Sequence, residues 1–255
     1  MRSTLRSLAA SLGISVVSAL LVTTTAHAQH HVTFLIGPMA GYNFVMYRTD
    51  AFPVIDESPF QVPHQPQSNF LVQNGTGRGY FVGISDEDPL SKTMHHFLIF
   101  EAGFDAKPAT FSMASSGSGP ITYTDTTIMI TGVKLWTTLS YIYVNLGYRY
   151  NFCSDSIPNG LGIQLCLSIG VKWEADFLKS VSDEDQAITN ASAISTANAL
   201  RLALRPELTY DLPFTDSWVL TPFAGYELPL TKVDPTENWW ASALYGGLTL
   251  RYAIW

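Results

Sequence analysis

Charged residues recur at alternate positions inside segments whose intervening positions are apolar. Arg201 and Arg205, for example, alternate with leucines between Ala199 and Leu212. The charges are balanced, with five bases and five acids, so the chemistry that they offer is mutual ion pairing, in which a guanidinium binds a carboxylate through its planar fork. The ten residues expected to form this network are Glu101, Asp105, Arg149, Lys172, Glu174, Arg201, Arg205, Glu207, Glu227 and Arg251.

The histidines give weak support for catalysis. A nucleophilic or acid–base site needs a histidine beside a serine or an aspartate at an accessible rim, and of the six histidines only His64 falls inside a long connection. The acidic run Ser182–Asp185 is interpreted as an exposed loop in preference to a Ca²⁺ site. Cys153 and Cys166 stand too far apart in the expected hairpin for a disulfide. We therefore predict no enzyme activity, no metal and no cofactor.

The overall composition narrows the class of protein. The 255 residues carry a net charge of −7, and 14% of them are charged while 47% are hydrophobic. Binding to nucleic acid needs a basic face, so we expect no nucleic-acid partner. Charge well below the globular average of about 25% favours a protein of many strands and turns whose surface does not depend on charge.

The first 28 residues have the three parts of a secretory signal peptide. Two arginines precede an apolar stretch at Leu8–Val22, and the triplet AHA at positions 26–28 fits an A-x-A cleavage site. A transmembrane anchor is the less favoured alternative because the apolar stretch is short. We expect a mature chain of residues 29–255, in which no segment has the ~18 apolar residues of a membrane helix.

The thirteen residues from Leu161 to Trp173 alternate between apolar and polar or small side chains without interruption. At about 3.4 Å per residue and ~40° of tilt they rise roughly 33 Å, more than the ~25 Å apolar band of an outer-membrane barrel. Strands of soluble proteins average about 5–6 residues. The same alternation predicts further strands at 32–46, 78–85, 94–106, 199–212, 218–230 and 243–255.

Two features predict local irregularity. Between Ile121 and Phe152 the apolar positions change parity, so this stretch is either one strand with a bulge or two strands. Bacterial single-chain barrels have an even number of strands, so we count one long strand here, projecting beyond the membrane, for a total of eight. Pro206 and Pro222 remove ladder donors, and we expect bulges or bends at both.

The connections between these strands alternate in length. Short turns at 86–92, 153–160 and 214–217 alternate with long connections at 47–77, 107–120, 174–198 and 231–239. Outer-membrane barrels combine short periplasmic turns with long extracellular loops in this way. The sequence therefore predicts an all-β fold, a single eight-stranded antiparallel transmembrane β-barrel over residues 29–255.

Aromatic residues concentrate near both ends of the apolar stripes. Transmembrane barrels carry such aromatic girdles at their two interfaces. The alternative, a soluble sandwich or lipocalin with the apolar series inside, is less favoured because the strands are long and the polar series mixes charges with Gly, Ser and Thr. The residues expected in the girdles are Phe44, Tyr148, Tyr150, Trp173, Tyr210, Trp218, Tyr226, Trp240 and Tyr252.

The chain resembles the small eight-stranded outer-membrane barrels of the OmpA/OmpX type. The resemblance rests on the signal peptide, the eight-strand pattern, the segments GYFVGISDEDPLS and YELPLTKVDPTENWWASALYGGLTLRY, and a last strand that ends in an aromatic residue. It departs from the usual pattern at Trp255, which is one residue out of phase with Tyr252 and Ile254. The resemblance implies the outer membrane of a Gram-negative-type bacterium, and a C-terminal strand that the barrel-assembly machinery recognises.

The sequence favours a structural or surface-interaction role. An eight-stranded barrel is just wide enough to be filled by side chains, so we expect the ion-pair network to plug the lumen and the extracellular loops to carry any interaction. A narrow channel for ions or small solutes is the alternative, and an outer-membrane enzyme is less favoured. The expected partners are outer-membrane lipid and the assembly machinery, while the loops reveal no ligand.

Overall fold

Period-2 alternation dominates the sequence, and every regular element in the described part of the chain is a β-strand. The computed structural model describes residues 32–50, 52–53, 71–113, 119–122, 127–130, 132–154, 157–182, 187–193, 197–236 and 238–255. The expected signal peptide, residues 1–28, lies outside these ranges. In the ranges themselves, no helix is long and apolar enough to span a membrane.

The strands vary from two to nineteen residues in length. In chain order they are β1 (Phe34–Arg48), β2 (Phe52–Pro53), β3 (Leu71–Pro89), β4 (His96–Ala106), β5 (Ala109–Met113), β6 (Gly119–Thr122), β7 (Thr127–Ile130), β8 (Gly132–Thr137), β9 (Ser140–Ser154), β10 (Pro158–Glu174), β11 (Asp176–Ser182), β12 (Ala187–Ala193), β13 (Leu200–Pro213), β14 (Trp218–Pro229) and β15 (Trp240–Ile254).

Eight long strands close into a barrel: β1, β3, β4, β9, β10, β13, β14 and β15. Each pairs antiparallel with the next of these in chain order, and β1 pairs with β15 on one side and with β3 on the other. Closure leaves the barrel wall without a free sheet edge. The predicted all-β fold with one closed eight-stranded antiparallel barrel is confirmed.

The pairing registers fix the stagger of the strands. Passing from partner to partner, Asn43 on β1 leads through β15, β14, β13, β10, β9 and β4 to Pro89 on β3. Because Glu87 lies opposite Leu35, Pro89 falls opposite position 33, ten residues from the starting point. Eight strands with a stagger of ten residues tilt by about 40° and enclose a lumen that side chains can fill.

The two ends of the barrel differ. At one end, called here the short-turn end, the strands are joined by residues 90–95, 155–157 and 214–217. At the other, the long-loop end, strands β5, β8, β11 and β12 continue from β3 in that order as a sheet, called here the extension sheet, and β6 pairs with β7 in a separate hairpin. The alternation of short and long connections expected from the sequence is present.

The stretch from Ile121 to Phe152 is not one long strand, so that prediction is wrong in detail. Strands β6, β7 and β8 precede β9, and β8 pairs with β5 and β11 instead of continuing into the barrel wall. Only β9 belongs to the barrel, and the count of eight wall strands is unchanged. The change of apolar parity therefore marks the passage from the extension sheet to the barrel.

Two further predictions about strand regularity are also corrected. The β13–β14 pairing is interrupted at Pro206 and at Pro222, but the register is the same before and after each interruption, so neither proline produces the expected bulge. The register shifts occur instead near Asn159 and between Lys172 and Glu174 in the β9–β10 pair, and near Asn74 in β3, beside the extension sheet.

Side chains divide by parity between a lumen and an outer face. The outer face carries large apolar side chains that remain accessible, such as Leu165 at 53% and Val82 at 48%. The buried apolar side chains inside form three layers. The short-turn layer consists of Val32, Leu35, Met94, Phe97, Ile99, Cys166, Val219 and Ala253. The central layer consists of Met39, Phe81, Tyr143, Phe223 and Tyr245. The long-loop layer consists of Val45, Tyr47, Ala109, Phe111, Leu139, Tyr141, Ala175, Ala197, Val233, Trp239 and Ala241.

Candidate functional site

Two arginines and two carboxylates meet in the lumen near the short-turn end. Arg149 donates from Nη1 to Glu87 Oε1 at 2.9 Å, and its Nη2 lies 2.7 Å from Glu87 Oε2 and 3.3 Å from Asp211 Oδ2. Arg251 donates from Nη1 to Glu87 and from Nη2 to Asp211. All four side chains are buried, and the two guanidiniums balance the two carboxylates in this short-turn cluster.

Neutral side chains from other strands complete the short-turn cluster. Asn151 donates from Nδ2 to Asp211 Oδ2 at 2.6 Å, and Thr221 donates from Oγ1 to Asp211 Oδ1 at 2.7 Å. The Arg149 guanidinium carbon lies 4.6 Å from the centre of the Phe97 ring, within the range of a cation–π contact. The cluster thus connects six of the eight wall strands across the lumen.

Two carboxylates face each other in the middle of the lumen. Gln164 donates from Nε2 to Glu101 Oε1 at 3.3 Å and to Glu207 Oε2 at 3.2 Å. Asn145 donates from Nδ2 to Glu101 Oε2 at 2.6 Å, and the Tyr245 hydroxyl donates to Glu207 Oε1 at 2.8 Å. These two carboxylates therefore accept hydrogen bonds from amide and phenol donors, whereas the carboxylates at the short-turn end accept them from arginines.

Arg205 is the cation of this central cluster, and aromatic rings surround it. Its Nε lies 3.7 Å from Glu207 Oε1. Its guanidinium carbon lies 4.1, 5.7 and 5.9 Å from the ring centres of Tyr245, Tyr143 and Phe81. Cation–π attraction strengthens when the cation is shielded from water, so the rings contribute to holding this buried charge.

A third ionic cluster lies toward the long-loop end. Lys107 Nζ is 2.7 Å from Asp105 Oδ2 and 3.3 Å from Glu227 Oε1. Arg201 pairs with Glu227, and Asn43 donates from Nδ2 to Asp105 Oδ1 at 2.7 Å. Two cations and two carboxylates again balance.

Lys107 lies one residue beyond the end of β4, at the top of the lumen. The Tyr47 hydroxyl donates to its carbonyl oxygen at 2.5 Å. Burial lowers the pKa of the Lys107 ammonium, and the neighbouring Asp105 carboxylate opposes this shift by stabilising the charged form. The long-loop layer packs above it, with the Trp239 ring 5.2 Å from that of Tyr47 and 5.4 Å from that of Phe111.

Buried apolar layers and ionic clusters occur along the length of the lumen. The apolar layers lie at its two ends and in its middle, and the ionic clusters lie among them. Contacts there are close: a Cβ atom added to Gly225 would lie 2.6 Å from the Tyr245 hydroxyl, and one added to Gly147 would lie 2.3 Å from Cys166 Sγ. In the described residues no group of three or more His, Cys, Asp or Glu is arranged to hold a metal.

Eight of the ten residues expected in the lumen network are buried inside the barrel, and two are not. Lys172 is half-buried and donates from Nζ to the carbonyl of Ala197 at 2.6 Å. Glu174 is exposed and accepts from Thr138 Oγ1 at 3.1 Å. The prediction is wrong for these two because the register shift between them ends the regular parity where β10 leaves the barrel wall. The eight buried residues are Glu101, Asp105, Arg149, Arg201, Arg205, Glu207, Glu227 and Arg251.

Three charged members of the network were missed by the sequence reasoning. Asp211 shares the parity of Arg201 and Arg205 on β13, and that signal was sufficient to find it. Glu87 was assigned to a turn, whereas β3 continues through it to Pro89. Lys107 follows a strand end, and no pattern in the sequence directs its side chain into the lumen.

All nine residues expected in the aromatic girdles lie on the outer face. Trp173, Tyr210 and Tyr148 are 51%, 48% and 44% accessible. At the short-turn end the rings of Trp218 and Tyr252 lie 4.9 Å apart. At the long-loop end the group is Phe44, Trp173, Tyr226 and Trp240, and at the short-turn end it is Tyr148, Tyr150, Tyr210, Trp218 and Tyr252.

The remaining reactive side chains form no second site in the described residues. Cys153 is exposed and Cys166 is buried, and both are free thiols. His64, on which the enzyme alternative depended, lies outside the described residues, as do Asp183–Asp185 of the acidic loop. His95 Nδ1 lies 2.8 Å from the carbonyl oxygen of Asn151 at the short-turn end.

Comparison with solved structures finds outer-membrane proteins among the similar chains. Ail of Yersinia pestis, in complex with the heparin analogue sucrose octasulfate, aligns with a TM-score of 0.36 and 9% identity, over 87% of this chain and 99% of its own. The protease OmpT of Escherichia coli gives 0.43 and 9%, over 91% and 99%. OprG of Pseudomonas aeruginosa gives 0.40 and 8%, over 88% and 97%. No family model and no curated protein matches the sequence.

Proposed function

We propose that this protein is an integral outer-membrane barrel with a closed lumen, whose role is structural or lies in surface interactions at its long-loop end. One observation carries the proposal: the large apolar side chains face outward while the charged ones are buried inside. A soluble barrel has the reverse arrangement, because water does not tolerate a continuous apolar belt. Lipid does, and a closed barrel satisfies every wall backbone group within the bilayer.

The filled lumen favours a structural role over conduction. A channel needs a continuous wet path, and the three apolar layers and three ionic clusters that lie in this lumen support a closed one. An ion that passed through the lumen would have to separate these ion pairs. Separating a pair is costly because it leaves a buried charge without its partner. A narrow channel is therefore the less supported alternative.

The two ends suggest an orientation and a mode of assembly. The short-turn end faces the periplasm, and the long-loop end, with its extension sheet, faces outward, as in other outer-membrane barrels. The projecting strands β5, β8, β11 and β12 offer the surface for any interaction. The last strand, β15, closes the barrel against β1, which suits it for recognition by the barrel-assembly machinery.

A pair of substitutions tests whether the outer face meets lipid. Leu165→Arg places a charge in the middle of the β10 stripe, and Asn159→Arg places the same charge on the same face at the short-turn end. In lipid, arginine at the midplane of a barrel costs about 2–4 kcal/mol and near the interface about 0–1 kcal/mol. We expect Leu165→Arg to impair folding into phosphatidylcholine vesicles, measured by the heat-dependent gel shift, and Asn159→Arg to fold normally.

Equal folding of the two variants would contradict membrane insertion. Planar-bilayer recording of the wild type tests the closed lumen, for which we expect no stable conductance. A steady open level in the wild type would replace the plugged barrel by the channel alternative.

A further inference from the structure

The basic residues outside the lumen are unevenly distributed. Of the twelve Lys and Arg that follow residue 28, five belong to the ionic clusters. Three of the others lie near the long-loop end, on or beside three of the four consecutive wall strands β3, β1, β15 and β14. Arg48 ends β1, Arg78 lies on β3, and Lys232 follows β14. These three residues are called here the rim cations.

The rim cations border the aromatic girdle on one sector of the outer face. Arg78 lies opposite Phe44, and Arg48 lies opposite Trp240. Lys232 Nζ is 5.7 Å from the centre of the Trp240 ring. Arg48 is four residues beyond Phe44, so the two guanidiniums emerge roughly 13 Å apart along the wall, a distance that their long side chains can shorten.

Two hydrogen bonds between Thr49 and Asn74 join the end of β1 that carries Arg48 to β3. The amide of Thr49 donates to Asn74 Oδ1 at 3.3 Å, and the amide of Asn74 donates to Thr49 Oγ1 at 3.2 Å. Asn74 has a φ of 48°, in the left-handed region that asparagine tolerates better than most residues. Because these two bonds join the ends of β1 and β3, Arg48 and Arg78 start from fixed backbone positions.

Within the described part of the chain, no acid neutralises the two arginines. Both are exposed, and neither makes a hydrogen bond or an ion pair with another described residue. Asp50, which is also exposed, follows Arg48 by two residues. The opposite sector carries Trp173 and Leu200 at the corresponding outward positions. One sector of the rim is therefore positively charged at its junction with the apolar belt.

We propose that the rim cations bind phosphate groups carried by lipid of the outer leaflet. The inference rests on the proposed membrane location. Guanidinium binds phosphate bidentately and ammonium binds it as a point charge. A lipid source follows from position, because the cations lie directly beside Phe44 and Trp240 and face outward, where the headgroup of a lipid packed on the β1–β3 wall would lie.

Binding of a bisphosphorylated lipid A tests this site. Wild type, Arg48→Gln/Arg78→Gln, Lys232→Gln and Lys92→Gln are refolded in neutral detergent, and the apparent Kd is measured by native mass spectrometry. Lys92→Gln is the matched control, since it removes the same charge at the short-turn end. A basic residue near an anionic surface contributes about 1 kcal/mol, equivalent to about fivefold in Kd. We expect about 25-fold weaker binding for the double variant, about fivefold for Lys232→Gln and no change for Lys92→Gln.

Three comparisons make the outcome decisive. Dephosphorylated lipid A should bind the wild type about fivefold more weakly than the double variant binds the phosphorylated form, because Lys232 then also has no phosphate to bind. Inorganic phosphate at the same concentration should not compete, and full competition would overturn the lipid assignment in favour of a free-phosphate site. Equal binding by wild type and double variant would overturn the site alone, provided that both insert into phosphatidylcholine vesicles. Failure of the wild type to insert in any vesicle would overturn the proposed function itself.

Discussion

Arg251→Met is the substitution that tests most directly whether the lumen is held by charge balance. In the short-turn cluster Arg251 contacts Glu87 and Asp211, and Arg149 contacts the same two carboxylates. Removing Arg251 leaves two buried carboxylates for one guanidinium. Breaking a buried pair in this way costs about 3–5 kcal/mol of unfolding free energy, because the surviving charge can neither reach water nor find another base.

A second substitution separates charge from packing. Asp211→Asn alone leaves one cation in excess and should cost a similar amount. The double variant Arg251→Met/Asp211→Asn is neutral again, and it retains the two-point contact between Arg149 and Glu87 at 2.9 and 2.7 Å. We therefore expect the double variant to be no less stable than the worse single variant, which corresponds to a coupling of at least about 3 kcal/mol between the two substitutions.

The assay is denaturant unfolding in vesicles, followed by tryptophan fluorescence and checked by the gel shift. The unfolding free energy should fall with denaturant concentration at the same slope for all variants. The midpoint of each unfolding curve then reports the stability of the variant. Leu248→Ala is the control, since this side chain lies outward on the same strand and is 52% accessible; its cost should be about 1 kcal/mol or less. Additive losses in the double variant, or a loss below about 1 kcal/mol for Arg251→Met, would refute the charge-balance reasoning.

Other predictions concern accessibility, the belt and topology. Cys153 should react with a maleimide in the folded barrel and Cys166 only after unfolding, and equal rates would show an open lumen. Asp86 faces outward eight residues from Arg78, roughly 20 Å along the axis, so Asp86→Leu should raise stability in vesicles by about 1 kcal/mol; a loss would show that this part of β3 leaves the bilayer. A cysteine placed at Asn190 should label on intact cells while one at Asn159 should not, and the reverse pattern would invert the proposed orientation.

Alternation in the sequence was sufficient to predict the barrel wall where side chains are large. In β10 and β13 each position has a clear apolar or polar identity, and the predicted strands agree with the observed ones to within three residues. The prediction was poorest for β3, expected at 78–85 and observed over Leu71–Pro89. Gly75, Gly77 and Gly79 hide the alternation at one end. At the other end of β3, Asp86 and Asp88 lie on the outer face, and such acidic residues are typical of a turn.

Parity predicts which way a side chain points but not which partner it meets. Arg251 was expected in the lumen, yet its pairing with Asp211 joins two strands that are not neighbours in the wall. That contact depends on the ten-residue stagger, which is set by all eight registers together. The extension sheet has the same character, because β8 pairs with β5 and β11 through contacts that no local pattern encodes.

The outer face and the lumen of the barrel differ in how strictly each position requires a particular residue. Lipid tails are as apolar as leucine, so the outer face gains little from any particular apolar neighbour, and exchange of Leu165 for another large apolar residue changes little. The lumen is different, because each buried charge has defined partners and each loss exposes a desolvation cost. The register of the wall strands must therefore be specified by the side chains in the lumen. A register shift would move Glu87, Arg149 and Arg251 apart, so the short-turn cluster favours the register in which its two arginines meet its two carboxylates.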